Sequence, residues 1–196
     1  MVLKGLIKDL RLAGSVRIVR RYFVINGFDG VIVMLGILFG FFLVGVNDIR
    51  VILSAGIGAA VAMCISGISG VYLSEKAEKE KELKDLEKAM VKKLDKTDLG
   101  EALKAAPLTT ALVDGLSPFA FSLVILFPFI LSIFLDFNFT ALYYSSFIIC
   151  ALCLFVLGIF MGKTSKSNIW VYGIKTVGIG IITAGILLLL EFLTRM

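Results

Sequence analysis

Residues 51–73, VILSAGIGAAVAMCISGISGVYL, contain no charged side chain. A helix needs about 20 apolar residues, rising about 1.5 Å each, to cross a bilayer, so this stretch is long enough to span one. Ser54, Gly58, Ala62, Ser66 and Gly70 place a small residue at every fourth position along it. That spacing lets membrane helices approach closely, so the segment belongs centrally in a helical bundle or at a subunit interface. Working outward, residues 115–135 and 139–162 are equally free of charge. Gly30 to Asn47 qualifies directly after Asp29, and Thr176 to Leu190 qualifies between Lys175 and Glu191. The expected fold is an all-α membrane protein with five transmembrane helices.

Composition agrees. Apolar residues make up 59% of the 196-residue chain and charged residues 18%, against about 45–50% and 25% in soluble domains. A secreted soluble enzyme, a disordered chain and a nucleic-acid-binding domain are excluded despite the net charge of +5. Much of the basic excess is local: Lys4, Lys8, Arg11, Arg17, Arg20 and Arg21 precede the first span with only Asp9 against them. The positive-inside rule makes the N-terminus cytoplasmic. It also puts the Lys-rich 74–110 stretch and the Lys163/Lys166 loop inside. Residues 1–23 read as an amphipathic interfacial segment with Leu3, Leu6, Ile7 and Leu10 on one face. Residues 24–73 carry spans one and two, 74–110 form a charged cytoplasmic helical segment, and 111–196 carry spans three to five. No signal peptide is evident, and a prokaryotic plasma membrane is the expected location.

The hydrophilic segment after span two, SEKAEKEKELKDLEKAMVKKLDKTDLGEALKAAP, has no Gly or Pro before Gly100. The second helix is therefore expected to extend into the cytoplasm as far as Leu94. A turn and a short helix from Thr97 or Asp98 to Ala105 should follow, with Pro107 marking the entry to span three. Glu75, Glu78, Glu82 and Asp85 are spaced to share a helix face, a ladder able to gather divalent cations. A solvated helix laced with Glu–Lys pairs such as Glu75–Lys79 is the competing reading. Leu83, Leu86, Met90 and Leu94 form an apolar stripe suited to a partner helix.

Ionisable residues in spans are costly and point to function. Lys175 and Glu191 sit near span ends, where they can reach water. Asp29 lies between Gly27 and Gly30 at the start of span one, and could bind a cation or exchange a proton. Asp114 stands beside Gly115, one turn before Pro118, at a similar expected depth. Cys64, Cys150 and Cys153 all fall within spans and form no disulfide framework. The chain has no His, which removes His-based zinc, haem and general-base sites. P-loop and G-x-S-x-G patterns are absent, and no nucleophile is paired with a base, so no enzyme is expected.

These residues resemble the vacuolar iron transporter (VIT) family of Fe²⁺/Mn²⁺ carriers. The likeness rests on RYFVINGFDGVIVMLGILFG, similar to the family's F-G-x-x-D-G pattern, and on SGISGVYLSEKAEKE, similar to its small residues followed by G-E-Y-x-S and a charged helix. It continues through PLTTALVDGLSPFAFSLVILFPF and the basic loop before a Gly-rich last span. The resemblance implies a homodimer with its path between protomers, exchanging metal cations against protons, and Asp29 matches the family's span-one aspartate. Gly67 stands where the family usually has Met, and Val71 where it has Glu before the Tyr. Met63 lies one turn before the first position and Glu75 one turn after the second, and Asp114 is an addition to the family pattern. The expected activity is proton-coupled efflux of Fe²⁺ or Mn²⁺ as transported substrate, with no cofactor. Its metal-handling residues would be Asp29, Met63, Glu75, Glu78, Glu82 and Asp114. The alternative is a non-transporting membrane scaffold of the same fold that docks a partner on the 75–94 helix.

Overall fold

A computed structural model describes residues 10–94, 96–135 and 137–194. Among the described residues five long helices follow in order: α1 Val16–Val44, α2 Ile49–Met90, α3 Asp98–Leu131, α4 Phe139–Thr164 and α5 Ile169–Thr194. All five are long and apolar enough to cross a membrane. No strand occurs among the described residues, so the protein is an all-α, multi-pass membrane protein. The amphipathic face expected at Leu3, Leu6 and Ile7 lies outside the described residues.

The helices begin where short polar side chains can satisfy their exposed first amides. Asp48 Oδ1 accepts from Arg50 N at 2.8 Å, Thr97 Oγ1 from Gly100 N at 3.1 Å, Asn138 Oδ1 from Thr140 N at 3.0 Å and Asn168 Oδ1 from Trp170 N at 3.0 Å. Helix α1 ends on Gly45 at φ +78°, with Val46 N bonded to Phe41 O and Gly45 N to Phe42 O, a Schellman stop that favours glycine. Helix α2 uses the same stop with Val91 at φ +50°, a conformation that strains a β-branched residue. The backbone amide of Leu94 donates to Glu87 Oε1 at 2.8 Å and fixes the turn that follows.

At 42 residues α2 is about twice as long as a bilayer crossing needs. The expected extension beyond the span is present, but it stops at Met90 rather than Leu94. No separate short helix ends before Pro107. Helix α3 runs unbroken from Asp98 through Pro107, Pro118 and Pro128. Pro107 removes one helical donor, yet Ala102, Leu103 and Ala106 on its N-terminal side are fully packed, and that packing outweighs the lost bond.

Packing divides the chain into two compact units. One comprises the described residues up to Ile25 together with Cys64–Ser117. Its core joins Leu10, Ala13, Leu83, Leu94, Ala102, Leu103 and Ala106. Leu10, the described member of the expected interfacial face, is thus buried against protein. Leu83 and Leu94 of the predicted partner stripe are also filled from within the chain, while Met90 stays exposed.

The other unit comprises Asn26–Met63 and the described residues from Pro118 onward. Here α4 and α5 meet through glycine. A Cβ at Gly158 would lie 2.7 Å from both Gly173 Cα and Tyr172 O and would collide with Thr176 Oγ1. That hydroxyl donates across the contact to Leu154 O at 2.8 Å. Ser146 Oγ of α4 donates to Ile125 O of α3 at 2.9 Å, and Tyr143 Oη to Val46 O at 2.7 Å. Cys150 and Cys153 are buried in this core.

Because Val91 is exposed and strained, Val91→Gly should stabilise the protein by about 1 kcal/mol. The readout is a raised Tm of the detergent-solubilised chain; an unchanged or lowered Tm would show that the left-handed stop costs nothing.

Candidate functional site

Among the described residues the first unit buries three charged side chains, Glu75, Lys79 and Asp114. Glu75 and Lys79 share a stripe of α2 with the core residue Leu83, since positions four apart stack on one face. Glu75 is 4% exposed. Its Oε1 accepts a hydrogen bond from Tyr22 Oη of α1 at 3.3 Å. Its Oε2 is buried with no hydrogen-bond partner among the described residues, which is costly for a carboxylate oxygen. Lys79 donates to the Ala13 carbonyl at 3.1 Å and to Glu82 Oε2 at 2.7 Å. Glu82 is about half exposed, so solvent screens that pair. The bond to Ala13 matters more, because it ties the segment before α1 to α2.

The expected carboxylate ladder is therefore divided. Glu75 turns inward while Glu78, Glu82 and Asp85 are exposed. The ladder runs along the rim of the stripe that packs inward, and its first member falls on the packed side. Sequence reasoning missed Tyr22 and Lys79, although the 75/79/83 spacing was a signal for Lys79.

Asp114 is 2% exposed, so the chain itself screens it from solvent. Helices α2 and α3 touch at Gly67 and Gly115. A Cβ at Gly115 would run into the Cys64 carbonyl and lie 2.6 Å from Ile68 Cγ1. A Cβ at Gly67 would lie 2.7 Å from Asp114 Oδ2 and 3.0 Å from Gly115 Cα. The Asp114 carboxylate thus occupies the space that a side chain at 67 would need. Ser117 Oγ, one turn along α3, donates to Phe23 O at 2.7 Å and fixes α3 against α1.

In the second unit Asp29 is exposed and its neighbour Gly30 is buried. A Cβ at Gly30 would lie 2.6 Å from Pro118 Cα. This backbone contact sets the inward face of α1 and leaves Asp29 on the outward one. Val33 continues that outward face, and Gly36 and Gly40 have open space where a Cβ would stand. Met63 is half-buried on α2, whereas Ser54, Gly58 and Ala62 are exposed. Of the six expected metal-handling residues, Asp29 and Met63 thus fall in one unit, and Glu75, Glu78, Glu82 and Asp114 in the other. Among the described residues no three His, Cys, Asp or Glu side chains are grouped closely enough to hold a metal ion.

The contact between Gly67 and Asp114 predicts coupled energetics. Gly67→Ala should destabilise by about 1–3 kcal/mol through overpacking, and adding Asp114→Ala should recover part of that loss. Additive losses in thermal unfolding of the two single and the double variants would show that the carboxylate is not what fills the space.

A family model described as the VIT family matches residues 20–98 and 82–190. An uncharacterized protein of Methanocaldococcus jannaschii is 37% identical over 160 residues, covering 80% of each chain. No solved structure matches. With nearly the whole helical region matched, and with the motifs around Asp29 and Tyr72 inside it, the chain belongs to the VIT family.

Proposed function

We propose that the protein is a homodimeric secondary transporter that moves Fe²⁺ or Mn²⁺ out of the cytoplasm across a prokaryotic plasma membrane in exchange for protons. Membership of the VIT family carries membrane metal-ion transport; the metal, the coupling and the direction are the proposal. The observation that carries it is the exposed carboxylate of Asp29 on a candidate membrane span. A carboxylate that faces hydrocarbon on a membrane span is costly. Such a group is retained where it faces water, an ion or another protein surface rather than hydrocarbon.

A second copy is the natural counterpart. Besides the open Gly36 and Gly40 of α1, the small-residue row of α2 from Ser54 to Gly70 is exposed along its length. Both rows would let a second helix approach closely. A path completed by two protomers also accounts for a single chain whose described residues form no three-ligand group. In this reading Asp29 binds the ion and the Met63 thioether favours borderline-soft metals such as Fe²⁺ over Mg²⁺ or Ca²⁺. The exposed Glu78 and Glu82 raise the local cation concentration at the mouth. Glu75 and Asp114, being buried, have their place inside the protein rather than in capture from solution. Leu83 and Leu94 are covered by the chain itself, which leaves less of the stripe for the partner that the scaffold alternative needs.

Proteoliposomes under an imposed pH gradient test this reading. Asp29→Asn should abolish Fe²⁺ and Mn²⁺ flux while leaving the chain folded and its oligomeric state intact; flux at the wild-type rate would remove Asp29 from the mechanism. Replacing Glu78 and Glu82 by Gln should raise the half-saturation concentration and leave the maximal rate nearly unchanged. An unaltered half-saturation value would count against capture by the α2 extension.

A further inference from the structure

Where α1 begins, the chain forms an open cleft of about 730 Å³ lined by Arg11, Gly14, Val16, Arg17, Ile18 and Arg20. Its volume falls in the range of about 300–1,000 Å³ typical of ligand sites. Three arginines line it, and none of its described lining residues is acidic. A planar guanidinium is suited to a phosphate, which it can engage with two parallel hydrogen bonds.

This surface is held in place. Leu10 and Ala13, on either side of Arg11, are buried in the core of the first unit, and the buried Lys79 bonds the Ala13 carbonyl. Ser15, also buried, adds a hydroxyl bond to the same carbonyl. Arg11 is thereby fixed relative to Arg17 and Arg20 instead of being carried on a loose tail.

The surroundings indicate what kind of phosphate fits. Leu12 and Val16 are 42% and 45% exposed beside the arginines, and α1 continues from Val16 as a candidate membrane span. A basic cleft bordered by apolar surface at the start of a span matches an amphiphile better than a soluble anion.

We propose that Arg11, Arg17 and Arg20 bind the phosphate of an anionic phospholipid, with its acyl chain against Leu12 and Val16. This site is independent of the transport reading and would stand if that reading failed.

The test measures phosphatidylglycerol binding to the full-length, detergent-solubilised chain by native mass spectrometry. Phosphatidylcholine and inorganic phosphate serve as comparison probes. The variant Arg11→Gln/Arg17→Gln/Arg20→Gln is set against Lys92→Gln/Lys93→Gln/Lys96→Gln, which removes equal charge elsewhere. The cleft variant should raise the Kd for phosphatidylglycerol about tenfold or more, while the lysine variant and the weak binding of phosphatidylcholine stay unchanged. Equal weakening in both triple variants, or none in either, would overturn the site. Inorganic phosphate competing at the lipid's own affinity would overturn the lipid assignment in favour of a soluble anion. Should the triple variant fail to fold, Arg17→Gln alone, at an exposed position, should still weaken binding severalfold, and unchanged binding would count against the cleft.

Discussion

Backbone contact at glycine is the constraint on which this structure depends. Lipid tails are as apolar as the helices they surround, so span-to-span association relies on close packing and on hydrogen bonds between helices rather than on a hydrophobic drive. The contact points are Gly30 on Pro118, Gly67 and Gly115 between α2 and α3, and Gly158 against Gly173. Hydroxyls also bridge helices, as Ser117 does to Phe23 and Thr176 to Leu154. The glycine contacts decide which way neighbouring side chains face. Asp29 is exposed because Gly30 faces inward, and Asp114 lies over α2 because position 67 has no side chain.

Charge follows from that packing in two different ways. In the first unit it is internal. Glu75 meets Tyr22, Lys79 meets a backbone carbonyl and Asp114 fills a vacated side-chain volume. Buried charges are retained only where partners offset their desolvation, and the uncompensated Oε2 of Glu75 marks the place where that offset is incomplete. In the second unit the charge lies at the surface: Asp29 stands on an outward face with open glycines beyond it. An outward carboxylate on a membrane helix invites completion by something other than lipid, which is the physical core of the transporter reading.

The α2 extension illustrates how a sequence pattern and its realised role can part. Its acidic spacing and its apolar stripe were both visible as periodicities. The stripe is the chain's own packing surface, closed by Leu10, Ala13, Ala102, Leu103 and Ala106. Once it is closed, one member of the acidic row is drawn inside and the others remain in water. Lys79, which read as half of a surface i,i+4 pair with Glu75, instead anchors the segment that carries the arginine cleft. Pro107 read as a boundary because proline interrupts helices in isolation, and packing on its N-terminal side overrode that tendency.

By itself the sequence determined the number of spans, their order and the overlong second helix. Those properties depend on the length and period of apolar runs, and a bilayer enforces them whatever the neighbours do. It also singled out Asp29 and Asp114, because a carboxylate in an apolar run is conspicuous. What faces what was decided only by the tertiary structure: Asp29 outward, Asp114 over Gly67, Glu75 on Tyr22, Lys79 on Ala13 and three arginines on one cleft. These pairings join residues far apart in the chain. Helical periodicity assigns a residue to a face, but only packing between helices selects the partner that the face meets.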